Sequence, residues 1–227
     1  MKQFFLILFV TMLLSSCHKS DDAVPAINGT EYYPVAVGNF WIYNVHDTYY
    51  NNGQFDTTFQ VKEVIHDTFI FEGTVIYELY RFYRHSDTID WPFQPDSVWT
   101  LSEDPYQLTI TEASTEYIRL SFPFYNNKQW DGNRKNVSGA DDYILKNIGK
   151  PYTYDTFSYS STCNVEEAHS KDLVSKDYRN RIYAENIGLV YKKYESIQYK
   201  TDPSFIGLDI IDFGKITEQK LIDYGKQ

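Results

Sequence analysis

The chain has 227 residues, a formal net charge of −10, and 18% aromatic residues, among them 21 Tyr and 15 Phe. An acidic chain is a poor electrostatic match for nucleic acid or anionic lipid, so no nucleic-acid partner is expected. Its length suits one domain with a sizeable core, and its two cysteines form no disulfide framework.

In chain order, Lys2 precedes the apolar run Phe4 to Leu14. That run has the length of a signal h-region and falls short of the roughly 20 apolar residues that span a bilayer. Ser15 and Ser16 are small, and Cys17 follows them. Leu14-Ser15-Ser16-Cys17 resembles the bacterial lipobox. The resemblance implies cleavage before Cys17, diacylglycerol on its sulfur and acylation, as with palmitate, of its new amino group. Several acyl chains, at about 0.8 kcal/mol per buried CH₂, anchor a protein firmly. The segment His18-Lys19-Ser20-Asp21-Asp22 resembles the signal that sends Bacteroidetes-type lipoproteins to the exterior face of the outer membrane. Residues 1–16 are thus read as signal peptide, 17–31 as lipidated N-terminus and tether, and 32–227 as a single β domain. With Cys17 lipidated, Cys163 has no intrachain partner and is expected to be buried as a small apolar residue.

From Tyr32 on, the chain reads as short strands separated by turn residues. Trp41 to Tyr50 and Gln54 to Ile65 flank Asn51-Asn52-Gly53, a hairpin turn, since Asn-Gly accepts positive φ. Thr68 to Phe71 and Thr74 to Arg84 flank Glu72-Gly73. A loop with Pro92 and Pro95 leads to Ser97–Leu101, Gln107–Glu112 and Glu116–Phe122. In the last two, Leu108 and Ile110 share one face, and Ile118, Leu120 and Phe122 oppose Tyr117, Arg119 and Ser121. Residues 123–140 form an aperiodic crossing. Asp142–Ile148, Tyr152–Val165, Arg181–Glu185 and Gly188–Gln198 follow. The polar stretch 166–179 suits a short helix, and Leu208–Phe213 with Thr217–Tyr224 suits a final hairpin. The fold class is all-β: an antiparallel β-sandwich or a curved, partly closed β-barrel. Pro34 precedes Trp41 by the interval that separates Pro123 from Trp130, which raises the variant of two related half-sheets.

Four segments, Tyr33-Pro34-x-x-x-Gly38-Asn39-x-Trp41-x-Tyr43, Trp130-Asp131-Gly132-Asn133, Tyr183 to Tyr191 and Lys220 to Gly225, together resemble a group of small Bacteroidetes-type lipoproteins of unknown function. The resemblance implies a lipoprotein with one domain and carries over no catalytic residues.

No chemistry-bearing constellation stands out. There is no Gly-x-Ser-x-Gly elbow, no His pair at i, i+4 for a metal, no calcium loop and no Gly-rich phosphate loop, so no catalytic residue, metal or cofactor is assigned. His46 and His66 are candidates to meet across the first hairpin. Asp56-Thr57, Asp87-Thr88 and Asp96-Ser97 resemble the O-glycosylation acceptor of Bacteroidetes-type exported proteins, which makes Thr57, Thr88 and Ser97 candidate acceptors. The expected function is a surface lipoprotein, tied to the membrane by its lipid, with a non-catalytic role in binding a glycan or protein or in scaffolding. The alternatives are a carrier of apolar ligand inside a curved sheet and a glycan-acting enzyme.

Overall fold

The structure, a computed structural model, describes residues 27–227. The signal peptide, Cys17 and most of the tether lie outside these residues. A short 3-10 turn, Thr30–Tyr32, leads into twelve strands: β1 Asn39–Asn51, β2 Gln54–Phe71, β3 Thr74–Arg84, β4 Ser97–Asp104, β5 Gln107–Glu112, β6 Thr115–Ser121, β7 Gln129–Asp131, β8 Asp142–Tyr154, β9 Phe157–Lys171, β10 Ser175–Ala184, β11 Gly188–Tyr199 and β12 Ile211–Lys226. They form one antiparallel sheet in the order β6-β5-β4-β3-β2-β1-β12-β11-β10-β9-β8-β7. The sheet curls into a nearly closed barrel with one unsealed seam. Of the two expected all-β forms, the curved barrel is the one adopted.

The order divides the sheet at the β1–β12 ladder into two six-stranded meanders, β1–β6 and β7–β12. Trp41 lies in the first strand of one and Trp130 in the first strand of the other. Each indole N–H donates across the division, Trp41 to the Ile187 carbonyl and Trp130 to the Ile118 carbonyl. The seam lies between β6 and β7 and is stitched by the chain on either side of it. The Ile118 N–H donates to the Gly132 carbonyl at 2.9 Å, and Asn136 Nδ2 donates to the Glu116 carbonyl at 2.8 Å. Asp131 holds that loop in shape by accepting the backbone N–H groups of Asn133 and Asp141.

Alternation places Ile65, Leu79, Leu101, Leu108, Leu120, Val165 and Leu221 in the core, all at 1% exposure or less. Each such side chain contributes about 1.5–3 kcal/mol through burial. The turns at Asn52-Gly53 and Glu72-Gly73 take positive φ, a conformation that Asn and Gly accept readily. Gly188, at φ +111, opens β11 beside Trp41, where a Cβ would come within 2.9 Å of the indole nitrogen.

Several expectations are corrected. Residues 166–179 are not helical: β9 runs to Lys171 and β10 starts at Ser175. The Asp172 carboxylate accepts the N–H groups of Val174 and Ser175 and so builds a tight turn between the strands. No hairpin splits 208–224, because β12 is continuous from Ile211. Gly214 sits inside it, where a Cβ would press to 2.3 Å from the Ser196 carbonyl oxygen; this glycine marks a close backbone approach and not a turn. The hairpin turn that the sequence reading missed falls at Asp155-Thr156, between β8 and β9. His46 and His66 do not meet. His46 pairs in register with Thr58, eight residues along β2 from His66, and His66 stacks on Tyr80 with centroids 4.1 Å apart.

Candidate functional site

The inner face of the barrel is not uniformly apolar. The alternation that buries Val61 and Ile65 also points Glu63 of β2 inward. The same holds for Arg81 after Leu79 in β3, Glu112 after Ile110 in β5, and Arg181 before Tyr183 in β10. Two further charges reach the interior through bulges. In the β5–β6 ladder Leu108 pairs with Leu120 and Thr109 with Ile118, so Arg119 is the extra residue. In the β9–β10 ladder Arg179 pairs with Ala168 and Asn180 with Glu166, so Glu167 is the extra residue. A bulge re-aims a side chain that strict alternation would send to solvent. Arg119 and Glu167 are accordingly 4% and 3% exposed, which corrects the expectation that Arg119 faces outward.

These groups form two bonded sets side by side, the pair Glu63–Arg81 and the cluster Glu112, Arg119, Glu167 and Arg181. Glu63 and Arg81, direct cross-strand partners, meet at 2.8 Å, and the Arg81 guanidinium lies 3.6 Å from the Trp99 ring centroid. Arg119 holds Glu112 at 2.7 Å and Glu167 at 3.3 Å across the seam. Arg181 reaches Glu167 at 2.7 Å and Glu112 at 3.6 Å. The Tyr194 hydroxyl donates to Glu167, and the Tyr143 hydroxyl accepts from Arg119. Burial pushes the Glu112 carboxyl up, but Arg119 and Arg181 outweigh it and hold the group at about 2. Burial likewise raises Glu167, and Arg181 and Arg119 bring it below the usual carboxylate range. Neither acid is poised as a general acid, which requires a raised pKa.

Lys192 is the odd member. It sits in β11 with Arg181 directly opposite on β10 and Gln219 opposite on β12, so neither flanking strand offers it a carboxylate. Among the described residues no acid lies within 4.0 Å of its ammonium; its nearest aromatic neighbour is the Tyr194 ring, 4.7 Å away. Glu63, Glu112 and Glu167 supply three negative charges to the network, and Arg81, Arg119, Arg181 and Lys192 supply four positive ones. Burial and then the facing Arg181 bring the Lys192 amine down to about 8.

Two spaces border this network. The deeper one is lined by Glu63, Arg81, Glu112 and Arg181 and measures about 20 Å³, room for a single water. That space is too small to enclose an apolar ligand. The second space is the barrel mouth, about 350 Å³, with Lys192, Arg81 and Gln219 at its floor. Arg179, Lys215 and Asp47 line it as well. Lys215 bonds Asp47 at 2.8 Å, and Arg179 forks onto Asp141 at 2.7 and 2.9 Å. Lys192 is therefore the cation of the mouth that pairs directly with no carboxylate among the described residues, and Glu112 offsets its charge only in part.

The residues singled out in the sequence lie elsewhere. Thr57 is exposed on β2, and Thr88 is exposed in the loop before β4, its hydroxyl 2.7 Å from that of Ser86. Ser97 opens β4 with its hydroxyl buried and unbonded, out of reach of a modifying enzyme in the folded chain. Cys163 is fully buried on β9, and burial pushes its thiol well up, as suits an inert core residue. No group of three potential metal ligands occurs among the described residues. The charged network was missed because Arg119 and Glu167 owe their direction to bulges and because Arg119–Glu167 joins elements far apart in sequence. The legible signals were charges in phase with buried aliphatics: Glu63 with Val61 and Ile65, Arg81 with Leu79, and Glu112 with Leu108 and Ile110.

No protein-family model and no curated protein matches the chain. Two solved structures are similar to it. One is described as an exported protein with a YmcC-like fold from Bacteroides fragilis, at 10% identity and a TM-score of 0.46, covering 88% of this chain and 100% of that one. The other is described as a lipoprotein from Parabacteroides distasonis, at 11% identity and a TM-score of 0.43, covering 86% and 98%. Neither likeness bears on function.

Proposed function

We propose that this chain is a lipoprotein held in the outer membrane through Cys17, facing the exterior, whose barrel mouth binds a small anionic ligand without turning it over. The lipobox and the acidic residues after Cys17 support the address. The unbalanced Lys192 ammonium at the floor of a mouth of about 350 Å³ carries the binding role. An anion there gives the Lys192 ammonium the direct partner it lacks, with the Gln219 amide at hand as a hydrogen-bonding neighbour. A charge-assisted hydrogen bond contributes about 1.5–3 kcal/mol, a factor of about 10 to 150 in affinity.

Calorimetric titration of the mature protein with inorganic phosphate and with citrate tests the site. Lys192→Met is expected to weaken whichever anion binds by at least about tenfold, and unchanged affinity in that variant removes the mouth from consideration. Mass spectrometry of the mature N-terminus and protease shaving of intact cells test the anchor and the outward face.

A further inference from the structure

The outer surface of the barrel holds a second concavity, separate from the mouth. The β8–β9 hairpin is irregular: the β8 register slips between Lys146 and Lys150 and again before Tyr152, with Asn147 at φ 56 and Gly149 at φ 71. Beyond these slips the hairpin end folds over the outer face of β11 and β12. Gln219 and Leu221 face inward, so Glu218 and Lys220 face out, and the arm docks on that side. The Tyr154 hydroxyl donates to the Leu221 carbonyl, and Asp155 meets Lys220 at 3.2 Å. The rings of Tyr152 and Tyr154 lie 5.7 and 6.0 Å from Tyr191. Between the arm and the outer faces of β9, β10 and β11 runs a groove of about 740 Å³.

Its floor carries two amides whose hydrogen bonding is incomplete. Asn180, 4% exposed, has a buried Oδ1 with no partner, and Asn164 on the adjacent strand has the same. Buried polar atoms are ordinarily paired with protein or ordered water, and two amide oxygens without a protein partner lie on adjacent strands under this groove. The terminal amide torsion is soft, and rotation presents either Oδ1 or Nδ2 to the groove. Tyrosine rings of the arm and of β10 and β11 border the floor. Apolar lining is confined to Pro151 and Ile182, too little to seat acyl chains or the apolar side chains of a peptide. Lys150, Lys176 and Lys193 face one carboxylate, Glu195, a local excess of two positive charges on a chain of net −10. Lys176 and Lys193 both bond Glu195, and Lys150 has no acid within 4.0 Å among the described residues.

We infer that this groove binds an acidic oligosaccharide. Sugar rings stack on tyrosine faces, paired hydroxyls use both the donor and the acceptor of an amide, and a uronic or sialic carboxylate meets the lysines.

The test is titration of the full mature chain with trigalacturonate and sialyllactose as acidic probes and maltotriose and lactose as neutral ones, followed by intrinsic tyrosine fluorescence and calorimetry. An acidic probe is expected to bind at least about tenfold more tightly than the neutral ones. Asn180→Ala and, independently, Lys150→Met are expected to weaken it, while Lys192→Met leaves it unchanged. Lys150 is exposed, so its variant keeps the test decisive if Asn180→Ala does not fold. The inference is overturned if neither acidic probe binds, if the neutral probes bind equally well, or if affinity survives Lys150→Met. Loss of binding in Lys192→Met also overturns it, by moving the site to the mouth.

Discussion

Lys192→Met separates stability from binding. The wild-type amine falls from 10.5 to about 8 because burial and the facing Arg181 disfavour its charge. At 1.36 kcal/mol per pKa unit this drop corresponds to about 3 kcal/mol of strain in the protonated folded state. Methionine keeps the unbranched stem and removes the charge, so the variant is expected to be more stable than wild type at pH 7, by up to about 3 kcal/mol. For a domain of this size that is a rise in Tm of roughly 6–12 °C. The sign of the pH dependence follows from the depressed lysine pKa. Between about 8 and 10.5 the unfolded chain binds more protons than the folded one, so this residue's contribution rises with pH and the wild type gains on the variant. Urea unfolding of both proteins in anion-free buffer, from pH 7 to pH 10.5, measures the effect. A variant less stable than wild type at pH 7, or a difference that does not narrow as pH rises, refutes the account of Lys192 as an unbalanced, strained cation.

Two further outcomes are expected. Glu167→Gln strips one carboxylate from between Arg119 and Arg181 and leaves buried cations undercompensated; it should destabilise by about 3–5 kcal/mol in urea melts, and a loss under 1 kcal/mol would mean that the network contributes little. Gly188→Ala places a Cβ against the Trp41 indole at a positive φ; a loss of about 1–3 kcal/mol is expected from the strained backbone alone, read by denaturation and by a change in tryptophan emission, and a neutral variant would show that this approach can relax.

The barrel was legible in the sequence where alternation was clean and turns were chemically marked. β5 was placed at its true ends, because Leu108 and Ile110 alternate with Thr109 and Thr111. The first hairpin was placed by Asn52-Gly53. The reading lost its way where period-2 order breaks. Stretch 166–179 looks polar throughout because the exposed turn residues His169 to Asp172 run together with Glu167 and Arg179, charges that face the barrel. Gly214 read as a turn because a glycine required by a close strand and a glycine required by a bend are the same letter. The candidate sites were less visible still. The meeting of Arg181 with Lys192 depends on the β10–β11 register, and the outer groove exists because the β8–β9 arm slips and folds over, a consequence of packing against Tyr191 and Leu221.

The position of the β1–β12 ladder has a consequence in time. In this sheet the ladder that joins the two meanders runs from Asn39 opposite Lys226 to Asn51 opposite Phe213, the greatest sequence separation the topology contains. β1 therefore remains an unpaired edge on one side until β12 has been synthesised, and contacts so distant in sequence form slowly. A chain that cannot finish its sheet early stays open while it is being made, which is the state in which a polypeptide can still be threaded across a membrane.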